Sequence, residues 1–161
     1  MTGYINNILT TIILLILTGV ASGADYPRGC EVNGFGYNGN YLILNEKGEQ
    51  TLYLIQNISD TKIELKHHEI RDLFMSPVLQ TKITPDHWAA FASDVENTHF
   101  KCYSHKRKKA IEVKCSDVID ICQYPRVKFA LSNMGNYWVS TNKPQSRVIK
   151  DAIAKGILLR W

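Results

Sequence analysis

Residues 62–67 read Lys-Ile-Glu-Leu-Lys-His, and this strict alternation limits the fold more than any other feature of the chain. Successive side chains of a strand point to opposite faces of its sheet, so Ile63, Leu65 and His67 share one face and Lys62, Glu64 and Lys66 the other. Such a segment is a half-buried antiparallel strand with one wet side. The rhythm recurs in residues 41–45, with Glu46-Lys47-Gly48-Glu49 as a turn and residues 51–56 as the partner strand, rich in β-branched and aromatic residues. Asn57-Ile58-Ser59-Asp60 turns the chain again; it matches a glycosylation sequon, which in a bacterial product signifies only a turn.

Residues 69–86 are less regular, with Pro77 and Pro85 as punctuation, and residues 88–92 read as a strand. Residues 99–103 and 111–115 alternate around a basic loop and predict a second hairpin. Two short strands are expected over 118–123 and 128–131, a turn over 132–136 and a strand over 137–141. From residue 144 to 155 the period changes, and Val148, Ile149, Ala152 and Ile153 fall on one helical face. Thr141 or Asn142 suits the cap of that helix, Pro144 its first turn and Gly156 the position after its end. Residues 157–161 close the chain as a short apolar strand. Seven or eight short strands with turns at near-regular spacing, then one helix, predict a mainly β protein: an immunoglobulin-like antiparallel β-sandwich with one C-terminal helix. It forms a single domain over residues 24–161.

The segment before that domain carries no Asp, Glu, Lys or Arg between Met1 and Gly23, has an apolar run over 8–17, and ends in small residues. That is the plan of a secretory signal peptide over 1–23, cleaved before Ala24 or Asp25. A membrane anchor is the competing reading, but the apolar run falls short of the ~20 residues a span needs. No second stretch is long and apolar enough to span a bilayer. Cys30, Cys102, Cys115 and Cys122 all follow the leader, and an even number of cysteines in an exported domain reads as disulfides. Three pairings are open; a hairpin places Cys102 opposite Cys115, leaving Cys30 to tie the N-terminal segment to Cys122. The spacings contain no C-x-x-C and match no zinc site.

No catalytic set emerges. His67-His68-Glu69 begins like a zinc-protease helix, but Asp72 stands where the second histidine belongs, and adjacent histidines on a strand point apart. His87, His99 and His105 have no carboxylate at a telling offset, and Asp94 and Glu96 are dispersed acids without a partner in sequence. No metal, cofactor or catalytic residue is therefore assigned. Binding features are better defined. Lys106, Arg107, Lys108 and Lys109, flanked by Lys101 and Lys114, concentrate charge at one hairpin tip suited to phosphate, sulfate or carboxylate groups, including anionic glycans and lipid headgroups. A solvated turn that guards a sheet edge has the same composition. Tyr137 and Trp138, beside Asn133 and Asn136, form a second candidate, although alternation places one of the two rings inside. The formal net charge of +4 is moderate and by itself implies no nucleic-acid partner.

Residues 122–140, Cys-Gln-Tyr-Pro-Arg-Val-Lys-Phe-Ala-Leu-Ser-Asn-Met-Gly-Asn-Tyr-Trp-Val-Ser, resemble the corresponding block of the enhanced-entry protein B family of Legionella-type intracellular bacteria. The closing Lys-Gly-Ile-Leu-Leu-Arg-Trp is also similar, and the likeness covers roughly residues 98–161. The resemblance implies an exported, non-enzymatic envelope or secreted factor associated with host-cell invasion. That family has no catalytic motif to carry over. The expected function is accordingly binding: of an envelope protein or a host-surface component, with the basic tip as first contact and Tyr137 and Trp138 second. A small envelope hydrolase using dispersed acids, or an inhibitor of a cell-wall enzyme, is the alternative.

Overall fold

The alternating segments build ten strands, which a computed structural model describes within residues 25–68, 79–130 and 134–159. The expected leader, Glu69 and Asp72 of the histidine motif, Asn133, and the final Arg160 and Trp161 lie outside the described residues. The strands are β1 (Phe35–Asn38), β2 (Tyr41–Leu44), β3 (Thr51–Asn57), β4 (Lys62–His67), β5 (Gln80–Ile83), β6 (Trp88–Ser93), β7 (Thr98–Lys106), β8 (Lys109–Val113), β9 (Ile119–Tyr124) and β10 (Tyr137–Lys143). One helix, α1 (Gln145–Ala154), follows. The larger sheet runs β1-β2-β7-β4-β5 with β8 also on β7, the smaller β10-β6-β3-β9, and every pairing between these strands is antiparallel. The protein is a β-sandwich with a C-terminal helix. At its centre β3 pairs with β6 in one sheet while the next strands along the chain, β4 and β7, pair in the other. This interlocking of two neighbouring pairs is how the central strands of immunoglobulin-type sandwiches are arranged.

The sheet partners correct the hairpin expected over residues 41–56. β2 and β3 are not neighbours: the chain leaves the larger sheet after Leu44 and enters the smaller at Thr51. Buried Asn45 makes the corner, in the left-handed region at φ 56°, where its backbone N–H donates to the Tyr53 hydroxyl at 2.7 Å. Its side-chain amide donates to Ser93 Oγ at 3.2 Å. The next corner is built the same way. Asn57, fully buried, donates to the carbonyls of Thr61 (2.7 Å) and Ile83 (2.8 Å) and accepts from the Ser59 N–H and hydroxyl. The sequon asparagine is thus consumed by an Asx turn that passes the chain to β4.

Leu42, Leu44, Tyr53, Ile55, Ile63, Leu65, Phe91 and Phe100 fill the space between the sheets. The outer side of the smaller sheet is buried as well. Leu52, Leu54, Ala90 and Ala92 lie beneath Val148 and Ala152 of α1, Val127 and Ile157, with Tyr26 and Cys30 of the N-terminal segment packed alongside. β6 is consequently buried at all six positions. The helix differs from expectation in two details. Pro144 occupies the cap with no side-chain hydrogen bond, because Asn142 is engaged elsewhere, accepting from the Thr84 N–H and hydroxyl. Ile153 is half exposed instead of buried. Gly156, at φ 83°, ends the helix as expected: its N–H reaches Ile153 O and that of Ile157 reaches Ala152 O, a Schellman pattern. Of the strands expected over 128–131 and 157–161, the described residues form one bridge, Lys128 with Leu158.

Both disulfides form, in the pairing the hairpin argument favours. Cys30–Cys122 fastens the N-terminal segment to β9 across 92 residues, and Cys102–Cys115 closes a loop of 13. Opposite Cys102 in the ladder is Val113; Cys115 reaches it from a 3-10 turn over Cys115–Asp117. Cystines of this kind belong to oxidising compartments. Among the described residues no helix is long and apolar enough to cross a membrane.

Candidate functional site

Because the smaller sheet is covered on both sides, the exposed sheet surface of the molecule is the outer face of the larger one. Register fixes which residues share it. One row crosses the sheet as Tyr41–Lys101–Lys66–Gln80, the next as Glu112–Tyr103–Glu64–Lys82, and a third as Ala110–His105–Lys62. A corner row adds Ile43 and His99, with His68 beside them through its N–H to His99 O. Here Asn38, Tyr41, Ile43 and His99 line a shallow depression.

Lys66 and Lys101 are directly opposed on adjacent strands, a placement that like charges disfavour. The structure draws their ammonium groups apart. Lys101 Nζ sits 5.0 Å over the Tyr41 ring and 3.2 Å from Glu112, which Asn40 also contacts at 3.1 Å. Lys66 Nζ lies 5.0 Å over the Tyr103 ring and 3.8 Å from Glu64. Hydrogen bonds to Glu112 and Tyr41 raise the Lys101 pKa above its ordinary value, while those from Asn40 and then Lys101 lower that of Glu112.

Glu64 is on the face that alternation gives it, but it is not in water. It points to the wet face, as read, yet is only 4% exposed, because three side chains roof it: His105, whose Nε2 lies 2.8 Å from its carboxylate, and Lys66 and Lys82, whose ammonium groups are each at 3.8 Å. No sequence signal marks this, since the covering groups come from three strands. On the core side of the same strand end, burial and then the neighbouring His99 and His68 lower the His67 pKa below 6.5.

The predicted tip residues lie at the exposed end of the same sheet. Lys106 pairs with Lys109, and the two residues between them, Arg107 (φ 45°) and Lys108 (φ 68°), both have positive φ. Two such residues in succession are a type I′ turn, which favours Asn-Gly because other side chains are strained there. Four of the seven described non-glycine residues with positive φ are Asn or Asp; Arg107, Lys108 and Arg126 are not.

β7 holds two different strands on one edge. Residues 98–101 pair with β2 and residues 102–106 with β8, so the sheet forks at Cys102. The Cys102–Cys115 disulfide is buried at that fork, and Lys101, Glu112 and Asn40 meet over it. β8 projects from there with most of its side chains exposed, Ile111 at 53%.

Tyr137 and Trp138 lie apart from the tip, on β10 of the other sheet. From half-buried positions the rings pack on opposite sides of the smaller sheet: Trp138 between the sheets against Phe91 (4.8 Å between centroids) and Phe100 (5.6 Å), Tyr137 in the outer layer against Phe129 (5.9 Å). The two candidate clusters are therefore not joined into one site. Among the described residues no group of three or more His, Cys, Asp or Glu side chains is arranged to hold a metal. No family model, curated protein or solved structure matches the chain.

Proposed function

We propose that this protein is an exported, non-enzymatic binding protein that meets an anionic partner, an envelope component or a host surface, through the β7–β8 tip. The observation that carries the reading is the Arg107–Lys108 turn. A left-handed conformation costs a side chain about 1–2 kcal/mol, and Asn-Gly would remove most of that cost. Residues kept at a strained position against the demands of folding mark a site used for something else. Here the strained pair carries charge, at the exposed turn of the hairpin. The two disulfides, the leader expected over 1–23 and the resemblance of residues 122–140 to the enhanced-entry protein B family support an extracytoplasmic setting. Tyr137 and Trp138 are secondary candidates, and their packing against Phe129 and Phe91 favours a structural role.

The test is quantitative capture of envelope and host-surface extracts on immobilised protein, with and without K106Q/R107Q/K108Q/K109Q. Neutralising the tip should weaken binding and flatten its salt dependence together. Unchanged capture at low salt would remove the tip as the contact.

A further inference from the structure

We propose that the outer face of the larger sheet, continuous with the tip, is a binding track for a linear acidic polysaccharide; this rests on the tip being a contact, as above. Same-face residues along a strand are ~6.7 Å apart and adjacent strands ~4.8 Å. From Lys101 to Arg107 the track is thus about 20 Å long. Its lysines are spread along that length: Lys66 opposite Lys101, then Lys82 and Lys62, then the four basic tip residues. Against them stand Glu64, roofed by His105, Lys66 and Lys82, and Glu112, already held by Lys101 and Asn40. Charge complementarity selects an extended polyanion able to touch both ends.

The tyrosines select its chemistry. Tyr41 and Tyr103 stand between the lysines, each with an ammonium parked 5.0 Å from its ring centre. A carboxylate or sulfate that draws the ammonium away uncovers a half-exposed aromatic face, which the C–H side of a sugar ring can cover. An anionic bilayer would call for apolar side chains to insert beside the charges. The rows offer only half-buried Ile43 and the small Ala110, and the large exposed hydrophobic residues among those described, such as Ile58, Ile111 and Met134, are not in them. A single-stranded nucleic acid is the other linear polyanion, but the two disulfides indicate an oxidising compartment, apart from the reducing interior where nucleic acid is held.

The disulfide-bonded protein is titrated with polygalacturonate and dextran sulfate, and in parallel with inorganic polyphosphate, oligothymidylate and vesicles of phosphatidylcholine with phosphatidylglycerol. K66Q/K101Q, which leaves the tip intact, should lower polysaccharide affinity roughly tenfold, as should the tip variant. Y41L/Y103L, unchanged in charge, should weaken polysaccharide binding several-fold and leave polyphosphate binding as it was. In the unsubstituted protein the ring protons of Tyr41 and Tyr103 should show intermolecular NOEs to the sugar C–H protons of polygalacturonate, a readout that does not depend on any variant folding. Wild-type affinity in K66Q/K101Q with loss in the tip variant would overturn the track and leave the tip reading standing. Wild-type affinity in both would overturn both. Tighter binding to vesicles or oligothymidylate than to either polysaccharide, or the absence of those NOEs, would overturn the assignment to sugar.

Discussion

The two sheets of this sandwich share one inner core and differ in what lies outside. The smaller carries a second apolar layer of helix, tail and disulfide-tethered N-terminal segment, so that β6 is buried at every position. The larger exposes rows of lysine, histidine and tyrosine. Small alanines fit the first setting, because α1 packs close against the sheet. Long amphipathic side chains fit the second, with their stems over the sheet and their charges in water. The comparison separates the part of the molecule that sustains the fold from the part that is free to bind.

Breaking the covered side should have the largest effect. C30A/C122A opens a closure of 92 residues, worth about 4–5 kcal/mol in the chain-entropy model. Urea denaturation should report a loss of that order, against about 3 kcal/mol for C102A/C115A across 13 residues. An equal or larger loss for the second pair would contradict the view that the tethered layer is the costlier to release. Next is the same enlargement on each outer face. Ala90→Leu, beneath α1, should cost about 1–3 kcal/mol by overpacking, whereas Ala110→Leu on the larger sheet should stay within about 0.5 kcal/mol. Similar penalties would mean that the wet face is not wet. Replacing Arg107-Lys108 by Asn-Gly should raise stability by about 1–2 kcal/mol while weakening polyanion binding. A stability loss would show that the tip is not strained.

The smallest effect concerns His67, at the edge between core and wet face. Its pKa is lowered by burial, so the folded state takes up its proton less readily than the unfolded chain. Stability is then undiminished above pH 6.5 and declines as pH falls from 6.5 towards the lowered folded value. His67→Gln should flatten that limb in denaturation midpoints collected across the window; an unaltered slope would assign it to other groups.

Where a strand lay was legible in the sequence wherever alternation met a turn signal, as in residues 62–67 and 99–103. Which sheet it joined was not. The links from β2 to β3 and from β3 to β4 have the length of hairpin turns, and only the buried side chains of Asn45 and Asn57 send the chain across the sandwich. β1, four residues beside Gly39, was missed for want of an apolar run. The basic tip announced itself because its charges are consecutive. The rest of the basic face did not, since Tyr41, Lys66, Lys82 and Lys101 come from four strands and meet only through register.

The fork at Cys102 has a consequence for how such a protein can change. Every residue of β8 pairs with the far half of β7 alone, and a covalent link holds the root of that arm. Residues at the tip can therefore be exchanged, or the arm lengthened by pairs, without shifting the register of any strand that lines the core. The arm behaves as an interchangeable bit in a fixed chuck, open to respecification while the sandwich behind it stays as it is.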